Sequence, residues 1–369
     1  MRVQRVLMQD SGAESWTVLG EDLNPVGPVE QFLAYLAAIE RSPNTIKAYA
    51  HDLKDWLLYL TGGGWDWRTV TVEQLAGFIS WLRLPPAARA GEVAVLPSAE
   101  AYCAPSSVQR KLSAVTAFYE FHARHGVEVA GLLVQLRPAG RPQGSYRPFL
   151  QHVAKQRPQR RRTITVKNMR RKPRVLTAEQ AQAILDGCEH LRDRLLFAVM
   201  LDTGVRIGEA LGLRHSDLEV AERTVTVRPR ANDNRARAKG ERSRTIPTSP
   251  GLMRLYADYL NREYGSLDSD YVFVNLWAEP FGRPWTYRAV YDLVQRLRVR
   301  TGSDFEPHQF RHTYATWLLR RGAGIEAVKE LLGHRSISTT IDTYSHLTVE
   351  DARRTLQDAG WFTGREVRL

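Results

Sequence analysis

Cysteine is nearly absent from this 369-residue chain, which holds only Cys103 and Cys188. Two thiols so far apart exclude a disulfide framework and a cysteine-based zinc cluster, and they suit a reducing cytoplasm. Long apolar runs are missing too. Met1-Arg2-Val3-Gln4-Arg5 lacks the apolar stretch of a secretion signal, and nothing approaches the roughly 20 residues of a membrane span. A soluble cytoplasmic protein with no membrane partner is expected. Acidic residues are missing from one region in particular: between Arg137 and Arg174 there are 13 basic residues and no Asp or Glu.

That absence explains the charge of the whole chain. The net charge is +12, yet outside this segment 39 basic residues face 40 acidic ones, so the remainder is almost neutral. Charge concentrated in one stretch points to a polyanionic partner. The segment also carries Pro138, Pro142, Pro148, Pro158 and Pro173, and it reads as a basic linker over 137–173. A solvated charge run is the ordinary interpretation of such a stretch. Between two domains that close on a duplex it instead becomes a strap across phosphates, with an affinity that falls steeply in salt.

The length exceeds what one core usually serves, so two domains are expected. Residues 1–27 show no clear periodicity and read as a loose N-terminal arm. Over 28–136 the pattern is helical. Val29, Phe32, Leu33, Leu36 and Ile39 recur at helical spacing, as do Ile46, Tyr49, Leu53, Trp56, Leu57 and Leu60. Thr71-Val72-Glu73-Gln74 has the form of a capping box opening a third helix. A fourth starts at Ser106 or Ser107 and turns Val108, Leu112, Val115, Phe118 and Tyr119 inward. The second domain, 174–358, is expected to be mixed. Helices are predicted near 178–187, 191–202, 207–213, 249–264, 286–300, 307–321, 325–332, 337–344 and 349–357. Thr224–Val227 and Arg244–Pro247 read as paired strands, and Tyr271–Val274 as an edge strand. The class is thus mainly α with a small antiparallel sheet, followed by a tail at 359–369.

Six polar residues of the second domain carry the chemistry: Arg206, Lys239, His308, Arg311, His334 and Tyr344. Singly, each has an ordinary structural reading. Arg206 with Glu209 three residues on is a common helical ion pair. His308 and His312 are spaced i, i+4 like two zinc ligands, but Gln309 stands where a catalytic Glu belongs and Arg311 would repel a metal. No metal is expected there, and His312 reads as a buried helix residue. Gly333 ends a helix and projects His334 from a turn. Together, two arginines, a lysine, two histidines and a tyrosine supply a phosphate clamp, proton donors and a nucleophile, without a metal or other cofactor.

In order and context these residues resemble the tyrosine recombinases, the phage integrase family. The match runs through Thr203-Gly204-Val205-Arg206-Ile207-Gly208-Glu209, Lys239 before the strand ending Ile246-Pro247, His308 to Thr313, Leu332-Gly333-His334 and Tyr344. In the first domain, Ser42-Pro43-Asn44-Thr45-Ile46-Lys47-Ala48-Tyr49 resembles the family's core-binding helix. The resemblance implies a C-shaped clamp with a SAM-like helical DNA-binding domain. It implies Arg206 and Arg311 on the scissile phosphate, Glu209 supporting Arg206, Tyr344 as nucleophile, His308 as base and acid, His334 bonded to phosphate and Lys239 as proton donor. A 3′-phosphotyrosine intermediate and a tetrameric synapse on double-stranded DNA follow.

Val272 to Trp277 and Ala236-Arg237-Ala238-Lys239 are similar to transposase-A recombinases of multi-gene transposons, which makes other recombinases of one mobile element candidate partners. Lys47, His51, Lys54, Arg110 and Lys111 lie off the apolar stripes and are candidate DNA contacts. Arg160, Arg161, Arg162, Arg170, Arg171 and Lys172 join them from the basic segment. The tail residues Trp361 and Phe362 either dock on a neighbouring protomer or pack on their own domain. At this stage a type IB topoisomerase and a non-cleaving DNA-binding protein of the same fold remain open.

Overall fold

The computed structural model describes residues 1–7, 14–89, 102–127, 174–238 and 242–334, and the backbone alone at 134–137 and 159–162. The chain divides into two compact units, Met1–Arg170 and Arg171–Leu369.

The first unit opens with a hairpin, β1 (Arg2–Leu7) paired antiparallel to β2 (Glu14–Leu19). This corrects the expectation of a loose arm. Val18 is fully buried and packs with the helical core. The pattern was hidden because two other buried positions of β2, Ser15 and Thr17, are small and polar, which removes the apolar alternation of a strand. Thr17 is satisfied by a hydrogen bond to the Glu30 carboxylate.

Four helices follow: α1 (Gly27–Ala38), α2 (Pro43–Gly62), α3 (Val72–Arg83) and α4 (Pro105–Arg124). Their apolar stripes are buried nearly as the spacing predicts, except that Ile39 falls just beyond α1 and is exposed. Thr71 and Gln74 form the expected capping box at α3. Trp56 sits at the centre, fully buried, and donates its indole N–H to the Tyr119 hydroxyl at 3.2 Å; that hydroxyl donates to the Trp67 carbonyl at 2.8 Å. Both polar tips are therefore satisfied inside an aromatic core.

The basic segment also departs from expectation. Its backbone contains a ladder, β3 (Val134–Arg137) antiparallel to β4 (Gln159–Arg162), so Arg160, Arg161 and Arg162 belong to a strand.

The second unit begins with α5 (Ala178–Asp186), opened by the predicted capping box of Thr177 and Gln180. Next, α6 (Leu191–Thr203) is buried along most of its length, and its buried Arg192 is paired with Asp193. The short α7 (Ile207–Ala210) covers only the start of the helix expected at 207–213. A three-stranded antiparallel sheet follows in the order β5 (Leu218–Glu219), β6 (Thr224–Val227), β7 (Arg244–Pro247); the last two were predicted, the first was not.

Tyr271–Val274 is not an edge strand. The segment is buried, but Val272 N–H bonds to the Leu213 carbonyl, the Val272 carbonyl accepts from Tyr259, and the Phe273 carbonyl accepts from Trp285 N–H. Its backbone is satisfied by loops and a side chain rather than by a ladder. The remaining helices are α8 (Pro250–Tyr259), continued by a π-turn at Leu260–Tyr264, α9 (Tyr287–Thr301), α10 (Pro307–Arg320) and α11 (Ile325–Leu332). The helices expected at 337–344 and 349–357 and the tail at 359–369 lie outside the described residues. No described helix is long and apolar enough to cross a membrane.

Candidate active site

The site is assembled from two turns and the first turn of a helix. Gly204 ends α6 with φ +64, the left-handed region, and a Cβ there would sit 2.3 Å from the Tyr314 ring. Only glycine meets both conditions. Immediately beyond it, Arg206 precedes α7. Its backbone N–H donates to Glu209 Oε2 and its guanidinium to Glu209 Oε1, both at 2.9 Å. Its side chain keeps 21 % of its surface exposed. The predicted Arg206–Glu209 pair is thus present, with the carboxylate wholly covered.

The second turn follows α11. Gly333 has φ +65; its N–H bonds to the Glu330 carbonyl and the His334 N–H to the Lys329 carbonyl at 3.1 Å. This is a Schellman closure, and it aims His334 away from the helix axis as the glycine predicts. It leaves the carbonyls of Leu331 and Leu332 without helical partners. Two arginines take them. Arg311 donates to the Leu332 carbonyl at 2.6 Å and to the Gly204 carbonyl at 2.7 Å. Arg244 donates through Nε to the Leu331 carbonyl at 2.9 Å. Cations at a helix C-terminus also oppose its negative dipole end. Arg311, almost wholly buried, therefore ties the turn before Arg206 to the turn before His334.

α10 starts at Pro307, as predicted, and Gln309 accepts from the Glu306 backbone N–H at 3.2 Å. His308 is exposed on its first turn. Its ring stands edge-on to that of His312, 4.5 Å away. His312 is half-buried rather than buried as expected, because it faces this neighbour on the accessible side of the helix. Among the described residues no group of three or more His, Cys, Asp or Glu side chains is placed to hold a metal ion.

Electrostatics bring the parts to one point. Burial, followed by the charges of Arg311, Arg206 and Arg244 and by His308, pushes the His334 imidazole down to about 4. At neutral pH it is an uncharged hydrogen-bonding group among guanidiniums. Burial pushes the Glu209 carboxyl up, but the hydrogen bonds and charge of Arg244 and the charge and backbone N–H of Arg206 together outweigh it, holding the group below its ordinary value. Two guanidiniums share the Glu209 carboxylate and a third, Arg311, acts on His334 beside them, so positive charge exceeds negative in an arrangement that attracts an anion.

The pH consequence is specific. The unfolded chain protonates His334 near 6.5 while the native state resists until about 4, so stability attributable to this ring declines as pH falls across that window. Ring NMR signals of His334 are expected to titrate with a midpoint near 4; a midpoint near 6.5 would contradict the arrangement.

The structure brings together Arg206, His308, Arg311 and His334, with Glu209 behind Arg206. Lys239 and Tyr344 lie outside the described residues, as do Arg170, Arg171 and Lys172. In the first unit, Lys47, His51 and Lys54 lie at helical spacing on α2. Lys47 stands 4.7 Å over the Trp16 ring, His51 is exposed and Lys54 is 3.6 Å from Asp55. Arg110 and Lys111 on α4 both pair with the buried Asp52, and Lys111 also bonds Asp55 at 2.7 Å. Lys111, only 12 % exposed, is committed to joining α2 and α4. Arg110 keeps about half of its side chain at the surface.

One residue of the site was missed in the sequence: Arg244. The signal was present, since residues two apart on a strand share a face. Arg244 therefore lies on the same side of β7 as Ile246, which is fully buried.

A helical unit followed by a mixed unit with arginines and histidines converging on one anion-attracting point suits a protein that handles phosphate groups. The comparisons make this specific. The pattern of the phage integrase family matches residues 174–351, and that of the phage integrase N-terminal SAM-like domain matches residues 29–126. Transposase A from transposon Tn554 of Staphylococcus aureus is 36 % identical over 355 residues, 96 % of each chain. Tyrosine recombinase XerC of Staphylococcus saprophyticus is 25 % identical over 340 residues, 90 % of this chain and 96 % of that one. The Tn1549 transposon integrase, solved with a circular intermediate DNA, shares the fold with a TM-score of 0.60 at 15 % identity, over 90 % of this chain and 99 % of that one. The chain belongs to the phage integrase family and is a tyrosine-type site-specific DNA recombinase. The comparisons lend no support to the topoisomerase and non-cleaving readings left open by the sequence.

Proposed function

We propose that this recombinase cuts and rejoins double-stranded DNA at the ends of a mobile element, in the work of transposition. The overall similarity to a transposon transposase supports that biological setting. Four protomers bring two duplexes together, and other recombinases of the same element are candidate partners. The observation that carries the active-site assignment is the convergence of Arg206, Arg311, Arg244 and His308 on a neutral His334.

In this reading the scissile phosphate enters the electropositive point. Arg206 and Arg311 stabilise the charge that builds on its non-bridging oxygens in the pentavalent transition state. Glu209 and the two backbone carbonyls fix the planes of those guanidiniums beforehand, so little reorganisation is required during the reaction. His334, uncharged, donates a hydrogen bond to a phosphate oxygen. Tyr344 attacks phosphorus in line; its phenol, with an ordinary pKa of roughly 10, passes its proton to His308. Lys239 protonates the departing 5′ oxygen. A phosphodiester is exchanged for a 3′-phosphotyrosine, so bond energy is kept, and attack by a 5′-hydroxyl of another strand completes the transfer. Across the first unit, Lys47, His51, Lys54 and Arg110 contact DNA, joined by the basic residues of 160–172.

Nicked suicide duplexes cut from the DNA flanking the gene test this. A covalent protein–DNA adduct that persists with a chelator present is the expected product, and its formation should decline steeply with salt. Chelator-sensitive cleavage without an adduct would refute the assignment.

A further inference from the structure

We propose that Arg244 is a positioning residue of the active site, setting the spacing between Arg206 and His334. The inference rests on the strand-exchange reading above. It begins with how the Arg244 guanidinium is used. Nη2 donates to Glu209 Oε2 at 2.6 Å, Nη1 to Glu209 Oε1 at 3.3 Å and Nε to the Leu331 carbonyl at 2.9 Å. All three nitrogens are engaged, on two different elements. One fork holds the carboxylate that orients Arg206; the other edge holds the last turn of α11, three residues before His334. The side chain is 14 % exposed, and a Cβ on Gly333 would meet Nη1 at 3.0 Å. The guanidinium is thus packed flat against the turn that presents His334.

Without Arg244, Glu209 would be a covered carboxylate facing Arg206 alone, and Leu331 would keep an unpaired carbonyl. Both groups would then move to find partners, and the arginine and imidazole would lose their fixed separation. Lysine is no substitute here. An ammonium is a single point of charge, whereas the planar guanidinium reaches a carboxylate and a carbonyl in fixed directions at once.

Single-turnover adduct formation at saturating duplex, in wild type, R244K, R244A, E209Q and the E209Q/R244K double variant, tests the proposal. R244K is expected to form adduct about 10²-fold more slowly, the effect of a misplacement near 1 Å, with duplex affinity near wild type and a melting transition lowered too little to account for the loss of rate. Methylguanidinium should partly restore R244A, which a loss of folding would not allow. The double variant should lose no more than its worse single parent, because both changes break one bridge. R244K reacting at the wild-type rate overturns this inference alone. So do losses that multiply in the double variant, or a rate that falls only in step with the folded fraction. A wild-type protein that forms no adduct on its flanking DNA overturns the strand-exchange reading beneath it.

Discussion

Replacing Tyr344 by phenylalanine is expected to abolish the covalent adduct while leaving site-specific DNA binding intact. The phenol oxygen is the atom proposed to form the new bond to phosphorus, and removal of a nucleophile in a concerted site costs on the order of 10⁶ in rate. Because phenylalanine keeps the aromatic ring, gel-shift affinity on the intact site should match wild type. Tyr314 is a described tyrosine at the edge of the site. It lies against Gly204, and burial pushes its hydroxyl up to about 12, with Asp202 adding to the shift and Arg244 opposing it. A phenol that holds its proton this firmly is a poor nucleophile near neutral pH. Tyr314→Phe should therefore keep adduct formation, and adduct surviving in Tyr344→Phe would transfer the role elsewhere.

The second large effect concerns Arg206. Removing its guanidinium deletes a donor aimed at the charge of the transition state, worth about 10²–10³ in rate, or about 3–4 kcal/mol. Arg206→Ala should lower adduct formation by that amount with a small change in affinity, since many phosphate contacts share the binding. Arg311→Ala should behave differently. Arg311 also braces Gly204 against Leu332 from an almost wholly buried position, so its removal leaves two carbonyls unpaired in addition to losing catalysis. Each unpaired group costs about 1–3 kcal/mol. A lower unfolding midpoint is expected for Arg311→Ala and not for Arg206→Ala; equal midpoints would contradict the bracing role.

Much of this was legible in the sequence because the relevant signals are local. The apolar stripes of α1, α2 and α4, the capping boxes at Thr71 and Thr177, Pro307 at the start of α10 and Gly333 after α11 each act within one turn of helix. The features that escaped depend on distant partners. The β1–β2 hairpin hides its inward face behind Ser15 and Thr17, and the Thr17 hydroxyl is satisfied by Glu30 on the neighbouring helix. The segment at Tyr271–Val274 has strand composition, yet its hydrogen bonds go to Leu213, Tyr259 and Trp285. Lys111 seemed a free surface cation until Asp52 and Asp55, on the neighbouring helix, claimed it.

The site shows the same division. Arg206 and Glu209 are three residues apart and could be paired on paper. The cross-link from Arg311 to Gly204 and Leu332, and that from Arg244 to Glu209 and Leu331, join residues 21 to 107 positions apart. No spacing rule reaches that far. Strand parity with Ile246 marked Arg244 as inward-facing, but only the folded chain shows that inward means the active site.

The central claim is that the chain attacks DNA with one tyrosine and keeps the phosphate. Proteolysis of the adduct trapped on a suicide duplex, followed by mass spectrometry of the nucleotide-bearing peptide, tests it most directly. The account predicts a nucleotide joined through its 3′ phosphate to Tyr344, in equal yield with and without chelator. A 5′ linkage, or a nucleotide carried by Tyr314 or any other residue, would contradict it.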